Sequence, residues 1–260
     1  MAEELAGVRS GVVVSPHSDL SVDVLVLRIS QQHNSSRRID PRLSDGASEE
    51  ISLVAAQAPQ ALPVSDVHFG GGTPTIIKPE DFLALMDLLR RSFAFRKTAT
   101  IAVEIEPRTF TAEMAEALGA AEVSHVSLGV QSFDPIVQKA TNRVQRKAQT
   151  TAAIENLRRI GISRINFDLM YGLPHQTVQS CVQSATAAVA MRPDRLAVFG
   201  YAHVPSYRKN QRLIDETALP DIAARAEQAV AVAETYLPNG AGAVAVLASL
   251  PLAAKSQPVL

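Results

Sequence analysis

The sequence predicts an α/β fold built from repeated strand–helix–strand units around a parallel sheet. Two observations predict it. Between about residues 49 and 233, short apolar runs alternate with amphipathic helical segments, and the connections between them are short. Apolar residues make up 47% of the 260-residue chain and charged residues 20%, so a sizeable core can be buried. An open doubly wound sheet and a closed or partial barrel give the same pattern.

The first 48 residues are poorly patterned. Residues 22–29 form a short apolar run that suits a strand, whereas 31–44 are polar, rich in Ser, Arg and Asp, and read as loop or disorder. Residues 51–57 suit a helix. Residues 65–69 make a strand, stopped by Gly70, Gly71 and Gly72. Pro79 then sits in a first helical turn, and Phe82, Leu83, Leu85, Met86, Leu88 and Leu89 give a broad apolar face. Strands follow at 98–105, 123–130, 162–170 and 195–201. Helices are predicted at 112–118, 147–160 with Gly161 as the stop, 176–191 and 221–233. Residues 236–260 are rich in Ala, Val, Leu, Gly and Pro; 243–247 resemble a strand, followed by a tail expected to fray. The expected division is therefore 1–48, 49–235 and 236–260.

Charge and cysteine content narrow the function. A net charge of −1 gives no reason to expect nucleic-acid binding. No apolar run is long enough for a membrane span, and the N-terminus carries Glu3 and Glu4 rather than a basic leader. A cytoplasmic monomer is expected. The one cysteine, Cys181, excludes an intrachain disulfide and any multi-cysteine metal site within these residues. It falls on a predicted helix and reads as a small core residue.

Polar residues gather where strands end, the face on which parallel α/β barrels place their chemistry. Gly70-Gly71-Gly72-Thr73-Pro74-Thr75 ends the first clear strand and can bring backbone N–H groups close to a ligand. Its spacing is not that of a dinucleotide fingerprint. Glu104 and Glu106 lie at the end of the next. A carboxylate in a β-run is poorly suited to burial unless paired, so it suits a ligand-facing acceptor. Gln131 follows Leu128-Gly129-Val130, Asp168 interrupts the apolar run 165–170, and Tyr201-Ala202-His203 closes the last strand. Taken singly, Gln131 fits a solvated turn and His203 a structural role. Five successive strand ends of this kind point to a small-molecule site on one face of the sheet.

The motifs His68-Phe69 with Gly70 to Thr75, Glu104-Ile105-Glu106-Pro107-Arg108, Leu128 to Phe133, Asn142-Arg143, Ile165 to Pro174, Gln176-Thr177 and Tyr201 to Pro205 keep the order and spacing of one family. Over a little more than half its length the chain resembles the oxygen-independent coproporphyrinogen III oxidases, radical S-adenosylmethionine enzymes. The resemblance implies a partial (β/α) barrel, here incomplete. It implies S-adenosylmethionine as cofactor, a [4Fe–4S] cluster and a porphyrinogen substrate whose two propionates become vinyl groups. It also implies that Gly71, Gly72 and Thr73 hold the methionine end of S-adenosylmethionine, that Glu104 accepts from the same ligand, and that Gln131, Arg143, Asp168 and Ala202 line a second S-adenosylmethionine site. The haem chaperone branch shares several motifs, but Asn142-Arg143 and Tyr201 to Pro205 lean toward the oxidase.

One family feature is missing. Three cysteines in a Cys-x-x-x-Cys-x-x-Cys loop hold the family's cluster, and the corresponding stretch here reads Ser21-Val22-Asp23-Val24-Leu25-Val26-Leu27-Arg28. His17, Asp19 and Asp23 are poor replacements for soft sulfur. No cluster, no metal ligand and no catalytic residue are therefore expected, and the chain is expected not to run the oxidase reaction. The alternatives are a non-catalytic haem- or S-adenosylmethionine-binding protein, or a non-functional fragment. Val24 to Arg28 can be encoded GTG CTG GTT CTG CGC, which one base later reads Cys-Trp-Phe-Cys. A displaced frame is thus one source of the missing thiols, and the coding sequence decides it.

Overall fold

The computed structural model describes residues 9–16, 23–30, 42–57, 63–236 and 245–248. They fall into two compact units. The first comprises residues 1–129 and 148–165, and the second 130–147 and 166–260. Among the described residues, no helix is long and apolar enough to cross a membrane.

In the first unit, strand β1 (Arg9–Pro16) runs antiparallel to β2 (Asp23–Ser30). Strand β2 then pairs parallel with β3 (Pro63–Gly70), β3 with β4 (Ala94–Ile105), and β4 with β5 (His125–Gln131). Helix α1 (Arg42–Gln57) bridges β2 and β3, α2 (Pro79–Ser92) bridges β3 and β4, and α3 (Ala112–Ala120) bridges β4 and β5. The remaining elements are α4 (Pro135–Ala140), α5 (Lys147–Arg159), β6 (Arg164–Tyr171), α6 (Val178–Ala190), β7 (Arg195–Gly200), α7 (Ile222–Tyr236) and β8 (Ala245–Ala248). Within the second unit, β6, β7 and β8 pair in parallel in that order.

Burial follows the two periodicities. Val64, Val67, Phe69, Ile101, Val103, Ile105, Val126, Leu128 and Val130 are buried on β3, β4 and β5. From α2, Phe82, Leu85, Met86 and Leu89 are buried, with the Phe82 ring 5.0 Å from that of Phe69. Removing such a ring costs about 3–5 kcal/mol. In the second unit, Phe167, Leu169, Leu196 and Val198 are buried on the strands, and Cys181, Ala185 and Ala188 on α6. Cys181 is thus a core residue.

The elements differ from expectation in identifiable places. Helix α1 begins at Arg42, inside the stretch read as loop, because residues 42–45 carry no apolar period to signal it. The rest of that stretch, 31–41, lies outside the described residues. Strand β4 begins at Ala94, but its first residues are mostly exposed and its register with β3 shifts between Val64 and Asp66. The alternation read from sequence starts only beyond that irregularity. Helix α4, six residues long, and strand β1 had no counterpart in the pattern. The segment that lacks the family's cysteines nevertheless forms β2 and covers the edge of β3. Strand β8 bears out residues 245–247 of the strand-like run 243–247, whereas 243–244 and the tail from 249 onward lie outside the described residues.

Candidate functional site

The turn after β3 is built around one carboxylate. Gly71 has φ +87°, a conformation that suits glycine. Its N–H donates to Glu104 Oε2 on β4 at 3.1 Å, while Glu104 Oε1 lies 3.3 Å from His68 Nε2. The packing is close enough that a side chain at the preceding position would displace the ends of Glu104 and His68. A Cβ on Gly70 would sit 2.8 Å from Glu104 Oε1 and 2.8 Å from His68 Nε2. Gly72 and Thr73 continue the turn. The Thr73 carbonyl accepts from Ile76 N–H, which starts the 3-10 turn Pro74–Ile76. Thr75 is buried, and its hydroxyl has no hydrogen-bond partner among the described residues.

Of the predicted residues, Gly71 and Glu104 are therefore in direct contact. Glu106 is not a second open carboxylate. It is buried, and Arg108 grips it with Nε to Oε1 at 2.9 Å and Nη2 to Oε2 at 3.0 Å.

The second unit holds Gln131, Arg143, Asp168 and Ala202. Gln131 ends β5 with φ +65°, a left-handed conformation that costs a non-glycine residue roughly 1 kcal/mol or more. Arg143 sits on the loop after α4. There the buried Gln138 donates from Nε2 to the carbonyls of Ser132 and Gln145, both at 2.8 Å, and accepts the Gln145 N–H at 3.0 Å. The Arg143 N–H donates to the Gln138 carbonyl at 2.8 Å. One glutamine side chain thus closes the loop that carries the arginine. Ser184 of α6 accepts the Phe133 N–H at 3.1 Å, and Asp134 caps α4 by accepting from Ile136 and Val137.

Asp168 lies on β6, opposite Ala197 in register, and accepts from Asn166 Nδ2 at 2.7 Å. The turn that follows is held from α7. Gly172 N–H donates to Gln228 Oε1 at 2.8 Å, and Gln228 Nε2 donates to the Gln176 carbonyl at 2.7 Å. Gln176 in turn accepts the Leu173 N–H and donates to the Met170 carbonyl. Arg225 reaches across the Tyr171 ring and donates to the Tyr201 carbonyl at 2.7 Å. Ala202 follows β7, and its carbonyl accepts from Gln211 Nε2 at 3.0 Å. Tyr201 is buried, and that burial pushes its phenol above the usual range. His203 sits between the Tyr201 hydroxyl at 3.4 Å and Glu216 at 3.0 Å, a structural placement.

Sequence reading missed Gln138, Ser184, Gln211 and Gln228. For Gln228 a signal was present. It shares one stripe of α7 with Arg225 and Val232, and a polar residue on a buried helical stripe needs a partner.

The Radical SAM superfamily profile matches residues 33–188. The oxygen-independent coproporphyrinogen III oxidase of Bradyrhizobium diazoefficiens is 54% identical over 191 residues, covering 74% of this chain and 42% of that protein. The Escherichia coli protein of the same name is 36% identical over 190 residues, covering 73% and 40%. In structure, the chain is similar to the E. coli coproporphyrinogen III oxidase described as a radical SAM enzyme. That match has a TM-score of 0.70 and 33% identity, over 80% of this chain and 50% of that one. The archaeal Methanocaldococcus infernus Elp3, at 14% identity and a TM-score of 0.54, shares the fold.

This chain belongs to the radical SAM superfamily, and its fold class is the α/β partial barrel of that type. Within the superfamily it is similar to the oxygen-independent coproporphyrinogen III oxidases, and it spans about two fifths of the length of the curated relatives it matches.

The donor set does not fit a cluster held by three thiolates. The 260 residues contain one cysteine. Cys181 is buried on α6, and burial, with Asp134 nearby, pushes its thiol up to about 12. Among the described residues, no three His, Cys, Asp or Glu side chains converge on a metal position. His17 and Asp19 lie outside the described residues, as does the side chain of Asp23. In the first unit, Glu104 is a part-buried carboxylate fixed beside a glycine turn, chemistry that fits an ammonium-bearing ligand such as S-adenosylmethionine. In the second unit, Asp168 accepts from Asn166, and Arg143 stands on the loop closed by Gln138.

Proposed function

We propose that this chain keeps the S-adenosylmethionine-binding surfaces of an oxygen-independent coproporphyrinogen III oxidase and binds that cofactor without cleaving it reductively. The observation that carries the reading is the Glu104 carboxylate held against Gly71 N–H. It fixes an acceptor for an ammonium group beside a turn whose glycines admit a ligand backbone. In this reading Gly71, Gly72, Thr73 and Glu104 hold the methionine end. Gln131, Arg143, Asp168 and Ala202 line the second site, with Arg143 facing a carboxylate and Asp168 a hydroxyl or amine.

In the relatives, the cluster supplies the electron that starts radical chemistry. Here no set of thiols holds it, so the residues bind and orient but start no radical. The substrate class of the lineage, a porphyrinogen bearing propionates, is part of the same proposal.

Titration calorimetry with S-adenosylmethionine tests it. The unmodified chain should bind, and Glu104→Ala should weaken binding about 10- to 100-fold, the worth of one charge-assisted hydrogen bond. No heat with the unmodified chain, or equal affinity for the variant, refutes the reading.

A further inference from the structure

Glu104 is held by a second group besides the Gly71 N–H. On β3, Val67 and Phe69 are buried, so strand alternation places Asp66 and His68 on the opposite face. On β4, Ile101, Val103 and Ile105 are buried, and Thr100, Ala102 and Glu104 take the other face. Register sets Asp66 opposite Thr100 and His68 opposite Ala102. Asp66 accepts from the Ser65 and Thr100 hydroxyls. His68 has only a methyl group directly opposite, so its imidazole can lie along β4 and reach Glu104, the next residue on that face.

An ionised carboxylate only accepts, so the His68 Nε2 that lies 3.3 Å from Glu104 Oε1 carries the proton of this bond. The Gly71 N–H donates to the other oxygen, Oε2, at 3.1 Å. One donor on each oxygen sets the plane of the carboxylate, which a single donor would leave free to turn. Each oxygen keeps a further lone pair for a ligand. The His68 and Glu104 side chains are 39% and 38% exposed, so water screens their attraction and the pair adds little to stability. A half-open pair beside a glycine turn is suited to orienting an acceptor rather than to holding the fold.

We propose that His68 is a positioning residue, which orients the Glu104 carboxylate through Nε2–H for the ammonium group of a bound ligand. This rests on the proposed function and adds the group that sets its acceptor. An ammonium presents three donors and gains most where the carboxylate lone pairs already point at it. A carboxylate free to rotate gives up part of that gain as side-chain entropy when the ligand binds. His68 acts through Glu104, so its loss is felt only while Glu104 is present. A neutral amide N–H with the same reach does the same work, and an alkyl group of similar size does not.

The test is calorimetric titration of the full chain and its variants with S-adenosylmethionine. His68→Leu should weaken binding about tenfold, while His68→Gln, which keeps an N–H donor, should stay within about threefold of the unmodified chain. His68→Leu combined with Glu104→Ala should bind no more weakly than Glu104→Ala alone, because the two residues act as one unit. The melting temperature of His68→Leu should stay within about 3 °C of the unmodified chain, since a half-exposed pair contributes little to the fold. Heat from the unmodified chain with unchanged affinity in His68→Leu overturns this inference and leaves the proposed function standing. So does a loss in His68→Gln as large as in His68→Leu, an additive loss in the double variant, or a larger fall in melting temperature, which assigns His68 to the fold. No heat from the unmodified chain refutes the proposed function, and this inference with it.

Discussion

Replacing Gln228 by leucine should be among the most damaging single changes in the second unit. Gln228 is 1% exposed and makes two hydrogen bonds, one from Gly172 N–H and one to the Gln176 carbonyl. Leucine matches its size but makes neither bond, so a buried backbone donor and a buried acceptor are both left unmet. Each costs about 1–3 kcal/mol, and the lower half of that range gives roughly 3 kcal/mol together. For a chain of this size the melting temperature should fall by roughly 6–12 °C. Urea unfolding followed by circular dichroism measures the stability, and hydrogen exchange at the Gly172 amide localises the loss. Because the turn continues β6, the same variant should loosen Asp168 and weaken S-adenosylmethionine binding. A stability change within about 0.5 kcal/mol, with Gly172 protection unchanged, refutes the account of this turn.

Two further outcomes follow from the same geometry. Gly70→Ala places a methyl group against the ends of Glu104 and His68, which can swing away. The fold should survive with a loss of about 1 kcal/mol, while the Glu104 bond to Gly71 breaks and S-adenosylmethionine affinity falls about as far as in Glu104→Ala. Cys181 should resist thiol reagents in the native state and react only on unfolding. Because burial raises its folded value to about 12, the unfolded thiol loses its proton first. Its contribution is therefore complete below roughly pH 8.5 and falls as pH rises from there toward the folded value, by at most about 1.4 kcal/mol per pH unit. Cys181→Ala should flatten that part of the stability curve.

The sequence revealed those parts of the fold and site whose signals are local. The glycine run after β3 announces a turn wherever it stands, and Asp168 is conspicuous because its neighbours on β6 are apolar. Helix α5 and its stop at Gly161, which has φ +88°, follow from periodicity and a single residue. Contacts between distant residues were not legible. Gln228 and Gly172 are 56 positions apart, and Ser184 and Phe133 are 51 apart. No local pattern joins them. Glu106 looked like Glu104 in sequence, and only the position of Arg108 separates a neutralised carboxylate from one facing the glycine turn. Strand β1 was missed because a two-strand antiparallel pairing at the start of a parallel sheet leaves no βαβ signature.

On the proposed function, the superfamily's cofactor surface persists on residues that do not assemble the family's cluster. Anaerobic reconstitution with iron and sulfide, followed by iron analysis and an absorption spectrum, tests it most directly. A colourless protein with no stoichiometric iron, still binding S-adenosylmethionine, is the predicted result. A brown protein holding about four irons per chain and releasing 5′-deoxyadenosine on reduction would contradict it.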